Sequence, residues 1–170
     1  MKRIVGLIMV LCWSLNGSAQ KPAETIQEDR IAIDQVLNEM LDIISGPQGK
    51  QRDWKAFRGL FIADATFAVN PPHGEGPSKF ESIGLEDFID SMHDAYYEGG
   101  FTENEIGSEI HVFNGIAMAF QSFEAEDSEG TKGRGINSFQ LIKQMGKWKI
   151  CHTLWTFETE GFPIPKQYLD

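Results

Sequence analysis

Glu109-Ile-His-Val-Phe-Asn-Gly-Ile-Ala-Met-Ala-Phe120 decides the fold. Two β-rich runs flank Asn114-Gly115, the pair best suited to a type I′ hairpin turn, where both central residues need positive φ. A two-residue turn there pairs Phe113 with Ile116, His111 with Met118 and Glu109 with Phe120. Downstream, Asp127 to Gly133 is rich in Gly and charge and reads as the next turn. Gln144-Met-Gly-Lys147 reads as the last, although Met145 suits a left-handed conformation poorly. Ile106 to Glu158 is therefore read as consecutive antiparallel strands.

Register follows from asking which pairing keeps large apolar side chains on one face, since a slip of one residue moves a whole set across the sheet. Pairing Leu141 with Ile150, and Met118 with Leu141, meets that test. It predicts an inner face of Phe113, Ile116, Met118, Phe120, Phe139, Leu141, Trp148, Ile150 and Leu154. Four polar side chains interrupt that face: Glu109, His111, Asn137 and His152. The other face carries Ile110, Val112, Ala117, Ala119, Phe123, Trp155 and Phe157 among polar residues. It is too apolar to be fully wet, which predicts a homodimer through this outer face.

The 170 residues suit one domain with a real core. Residues 1–19 are set apart from residues 20–170. Lys2 and Arg3 form a basic start, Ile4 to Leu15 is apolar but short for a membrane span, and Gly17-Ser18-Ala19 offers small residues for cleavage. This pattern predicts a secretory signal peptide, an exported protein (periplasmic or secreted) and no membrane span after cleavage. Losing Lys2 and Arg3 with that leader takes the formal net charge from −10 to −12. No basic patch stands out, which argues against nucleic acid as a partner. Cleavage leaves Cys151 as the one cysteine, so no internal disulfide is expected.

Glu24 to Ser45 carries Ile26, Ile33, Val36, Leu37, Met40, Leu41 and Ile44 at helical spacing, and Gly46-Pro47 ends it. Asp53 to Ile62 predicts a short helix with Asp53 near its start and Trp54, Phe57, Leu60 and Phe61 on one face. Asp64 to Val69 alternates like a strand and stops at Pro71-Pro72. Asn70 to Gly84, with His73, is a long Pro- and Gly-rich loop, either a binding rim or a plain connector. Leu85 to Tyr97 predicts a third helix closed by Gly99-Gly100. Helix, helix, strand, helix and then a strand meander is an α+β order with helices on one side of a curved sheet.

Several local patterns extend that order. They are Asp53-Trp54, then Leu60-Phe-Ile-Ala-Asp-Ala-Thr-Phe67, the helix around Phe88-Ile89, Val112-Phe-Asn-Gly-Ile-Ala117 and Gly146-Lys-Trp-Lys-Ile150. Together, over Glu24 to Glu158, the chain resembles the nuclear transport factor 2-like superfamily, in particular its SnoaL-like and ketosteroid-isomerase-like branch. The resemblance implies a cone: a strongly bent antiparallel sheet around a pocket, closed by the first helix. Active members place an Asp–His or Tyr–Asp arrangement in the cone. Here the strand block holds no Tyr, and Asn70-Pro-Pro-His73 stands where the isomerases carry an acidic base. The resemblance thus implies a pocket without naming a reaction.

Three readings of the polar group follow. As an enzyme, His152 or His111 is a general base, Glu109 orients it, and Asn137 donates to an oxyanion. That chemistry is proton abstraction beside a carbonyl, as in isomerisation, cyclisation or dehydration. As a binding module, a pocket lined by Trp54, Phe57, Phe61, Met118, Phe120, Phe139 and Trp148 holds a small hydrophobic molecule. As structural groups, the same side chains merely pair with neighbours; a register one residue different would turn Glu109 and His111 outward and Ile110 and Val112 inward. No cofactor is implied, and His111, His152 and Glu109 lack the spacing of a metal motif.

Overall fold

The computed structural model describes residues 21–71 and 81–169. The proposed leader, His73 and most of the Pro-rich loop lie outside the described residues. Helix α1 spans Lys21–Ile44. Its stripe of Ile33, Leu37, Met40, Leu41 and Ile44 is buried, each side chain contributing about 2 kcal/mol by leaving water. Arg52 is buried beside the helix end. Its guanidinium donates to the carbonyls of Ile44 (2.8 Å), Lys50 (2.6 Å) and Gly46 (2.8 Å), supplying partners that a helix terminus lacks.

Helix α2 spans Trp54–Leu60, and Asp53 caps it by accepting from the Ala56 amide at 2.8 Å. Strand β1 follows without a break at Phe61–Val69, and the short strand β2 is Ser82–Gly84. Strand β2 lies inside the stretch read as loop. Its three residues carry no alternating pattern, and only pairing with β1 defines them. Helix α3 spans Leu85–Gly99 and ends at Gly100, whose φ of +78° favours glycine.

Four long strands complete the chain: β3 Phe101–Phe113, β4 Ile116–Asp127, β5 Lys132–Gln144 and β6 Lys147–Phe157. The sheet order is β2-β1-β6-β5-β4-β3, antiparallel throughout except that β1 and β6 run parallel. Asn114 and Gly115 have φ of +43° and +85°, as the hairpin requires. Phe113 pairs with Ile116, His111 with Met118 and Glu109 with Phe120. Met145 also takes a positive φ, +50°, beside Gly146, and its side chain is almost wholly exposed.

The expected faces need correction at two places. Leu141 does pair with Ile150, but its partner on β4 is Ala117 rather than Met118. Ala117 and Ala119 therefore face the helices and join the buried cluster, and Phe113, Ile116, Met118 and Phe120 face away. The second place is Cys151, an extra residue between the Leu141–Ile150 and Gln140–His152 pairs. This bulge turns His152 and Leu154 outward and Thr153, Trp155 and Phe157 inward. The maximal-apolar-face criterion failed because both faces are apolar.

The core lies between the concave face and the helices. Phe139, Leu141, Ile150 and Trp148 from the sheet meet Ile33, Leu37 and Phe57. Phe57, Phe67 and Phe88 stack there, with Phe67 and Phe88 centroids 4.2 Å apart. Asp29 accepts from Trp148 Nε1 at 3.0 Å and from Lys143 Nζ at 2.6 Å. The C-terminal segment crosses the outer face: Tyr168 meets the Phe120 ring edge-on, and a Cβ on Gly107 would come within 2.5 Å of the Tyr168 carbonyl. Glycine at 107 is what lets the segment lie flat.

Candidate functional site

The wide end of the cone holds a cavity of about 170 Å³. Phe57, Phe67 and Phe88 wall it on the side of β1 and the helices, and Tyr96 stacks on Phe101 at 4.7 Å on another side. Phe123, Trp155 and Phe157 rise from the sheet. Gly135 makes room for this wall, because a Cβ there would strike the Phe123 ring and the Thr156 carbonyl.

Three polar side chains share that cavity: Glu103, Asn137 and Thr153. Glu103 sits near the start of β3, where its backbone N–H donates to Ser45 Oγ at 2.9 Å and its carbonyl accepts from Ser45 Oγ at 3.1 Å. That doubled link fixes the strand against the end of α1. Asn137 Nδ2 donates to Glu103 Oε1 at 2.7 Å. Burial pushes the Glu103 carboxyl up to about 7, and the Asn137 bond opposes that shift only in part. Burial also holds the Tyr96 hydroxyl well above its ordinary value; the negative charge of Glu103 adds to this and Arg52 opposes it. Thr153 is 4 % exposed, and its Oγ1 has no hydrogen-bond partner among the described residues. An orphaned hydroxyl facing a cavity is a costly arrangement that a bound molecule would relieve.

The structure divides the sequence-derived site. Asn137 lies in the cavity and Phe57 lines it. Phe61, Phe139, Trp148 and Trp54 are buried in the core instead, the last stacked on Tyr96 at 6.4 Å. Met118 and Phe120 lie on the outer face through the β4 register. Glu109, His111 and His152 lie there too. Glu109 Oε1 meets His111 Nε2 at 3.0 Å in an exposed pair, and His152 Nδ1 meets Thr66 Oγ1 at 2.7 Å. None of these three reaches Asn137. Among the described residues no group of three His, Cys, Asp or Glu side chains is placed to hold a metal ion.

Glu103 is the residue that sequence reasoning missed. Phe101-Thr-Glu-Asn-Glu-Ile106 is polar and poor in β-formers, so the strand was expected to begin at Ile106. The signal lay in the alternation of Phe101, Glu103 and Glu105 directly after the helix-ending Gly100. A bulge at Ile106 then hides that these residues share the face of Ile110 and Val112.

No protein-family model and no curated protein matches the chain. Solved structures do. An NTF2-like protein with a cystatin-like fold from Novosphingobium aromaticivorans superposes with a TM-score of 0.63 at 15 % identity, over 82 % of this chain and 90 % of that one. An NTF2-like protein of unknown function from Shewanella baltica gives 0.56 at 18 %, over 79 % and 97 %. One from Silicibacter pomeroyi gives 0.56 at 19 %, over 78 % and 98 %. The chain has the nuclear transport factor 2-like, cystatin-like fold. At these identities the likeness speaks for the fold alone.

Proposed function

We propose that this domain binds one small, ring-sized hydrophobic molecule in the cone, with the polar end of that molecule at Glu103, Asn137 and Thr153. The observation that carries the reading is the unpartnered Thr153 hydroxyl, buried in an aromatic cavity of about 170 Å³. An apolar cavity of about 150 Å³ accepts benzene, so this volume suits a single ring with a short substituent. Native mass spectrometry of the purified protein, followed by denaturation, tests it. A released molecule of that size supports the reading; a protein that neither carries nor takes up such molecules counts against it.

One observation favours a catalytic reading in the SnoaL-like manner: a cavity carboxyl held near 7 both accepts and returns protons at neutral pH. Glu103, not His152 or Glu109, would then be the base or acid for proton transfer beside a carbonyl. Turnover lost in Glu103→Gln with ligand binding retained separates catalysis from binding.

The domain is further proposed to act as an exported homodimer. The face expected to pair, with Ile110, Val112 and Ala117, is turned toward the helices; on the opposite face Phe113, Ile116 and Met118 are 74 %, 59 % and 53 % exposed, an apolar patch that a second copy would cover. Gel filtration at micromolar concentration showing a monomer, unchanged in Met118→Asp, removes the dimer. Peptide mass analysis of the protein from its native cell, showing residues 1–19 retained, removes export by cleavage.

A further inference from the structure

We infer that the molecule held in the cone is a small organic cation: an amine on a ring-sized apolar group, its ammonium seated among Glu103, Asn137 and Thr153. The inference rests on the binding reading above and names the chemical class that site takes. It begins with donors and acceptors. Asn137 already gives its amide N–H to Glu103 Oε1. That bond occupies Glu103 Oε1, and the other oxygens of the pair, Glu103 Oε2 and Asn137 Oδ1, are acceptors. The orphaned Thr153 Oγ1 accepts as well. Asn137 and Thr153 are diagonal neighbours on one face, since Asn137 pairs with Trp155 and Phe139 with Thr153. That places them about 7 Å apart or less, within reach of a single small group. A primary ammonium has three N–H donors and no acceptor, and so matches these three oxygens. A ligand carboxylate would set its charge against that of Glu103.

The charges agree. Among the described residues no Lys, Arg or His lines the cavity. Arg52 lies close enough to act on the Tyr96 phenol, but its guanidinium is committed to three backbone carbonyls. Glu105, farther along β3, is engaged by Gln121 Nε2 at 2.6 Å, and Asp34 on α1 lies beside it. Among the described residues, the ionisable side chains that line the cavity are therefore Glu103 and the Tyr96 phenol. Eight aromatic side chains line the walls. Their ring faces carry negative quadrupole density, which attracts cations and repels anions. Glu103 is pushed up to about 7 because it is buried with no positive partner. A bound ammonium supplies that partner and lowers it again.

The sign of the pH dependence follows. Cation binding favours ionised Glu103, so affinity rises as pH increases through about 7 for an amine that stays protonated over that range. Three probes of nearly one shape, benzylamine, benzyl alcohol and benzoate, are titrated into the purified protein by calorimetry. The expected result is benzylamine about tenfold tighter than benzyl alcohol at pH 8, with benzoate unbound. The preference shrinks below about threefold at pH 5.5 and in Glu103→Gln. Benzyl alcohol binding as tightly as benzylamine at pH 8 overturns the cation and leaves the pocket standing. Benzylamine affinity unmoved by pH and by Glu103→Gln also overturns it, because the amine then sits elsewhere. No binding by any of the three to folded protein overturns the cation and the ring-sized pocket together. If Glu103→Gln does not fold, the pH series on the unaltered protein decides the same question.

Discussion

The two faces of the sheet carry the same kinds of residue and put them to different uses. The outer face holds Glu109 paired with His111, and His152 paired with Thr66, beside exposed Phe113 and Met118. The concave face holds Glu103 with Asn137 beside buried Phe123 and Phe139. On the outer face the Glu109–His111 contact is exposed to water, and such surface contacts contribute little. On the concave face a carboxyl is desolvated, lacks a cation and shares a cavity with an orphaned hydroxyl. Residue type alone does not make a site; removal from water does.

The contrast breaks most visibly at the phenylalanines. Phe139 is wholly buried and Phe113 is 74 % exposed. Phe139→Ala should cost about 4 kcal/mol of unfolding free energy in a urea titration, through lost burial and the cavity left behind. Phe113→Ala should cost under about 0.5 kcal/mol in the monomer. Equal losses would mean that the sheet is covered on both faces.

The carboxylates sharpen the contrast next. Glu103 is raised from 4.5 to about 7 in the folded protein. Between those values the native state binds more protons than the unfolded chain. Its stabilising effect is fully present at pH 4.5 and below and fades as pH rises through about 7. The loss is at most about 3 kcal/mol. Glu103→Gln should flatten this slope and raise the melting temperature at pH 8, whereas Glu109→Gln should leave the slope in place. Melting curves from pH 4 to pH 8 check both, and a wild-type profile flat across that range would place Glu103 in water.

Smaller effects separate the polar partners. Thr153→Val removes an unpartnered buried hydroxyl at nearly constant volume, and should stabilise the ligand-free protein by about 1 kcal/mol. Loss of stability instead would reveal a partner for Oγ1. His152→Ala should cost about 1 kcal/mol, the worth of its link from β6 to Thr66 on β1. Glu109→Gln should change stability by less than about 0.5 kcal/mol.

Much of this was legible in the chain. The Asn114-Gly115 hairpin, the Asp53 cap, the α1 stripe and the pairing of Leu141 with Ile150 are local or two-strand matters, governed by turn chemistry and periodicity. The candidate site was legible only at Asn137 and Phe57. Bulges at Ile106 and Cys151 leave no compositional mark, and each reverses the orientation of everything beyond it. Counting residues through Cys151 draws His152 inward, and the polar sequence that opens β3 conceals Glu103.

The amino-acid order by itself therefore determined the long elements, their order and the α+β architecture, because capping, turn geometry and apolar spacing act over a few residues; β2 is defined only by its pairing with β1. Which face of each strand turns inward was decided only in three dimensions. Both faces are apolar, so hydrophobicity does not choose between them. The choice falls to packing, which buries small Ala117 and Ala119 in the core, and to the bulges that bend the sheet into a cone. That same closure carries Glu103 out of water, and with it the chemistry of the cavity.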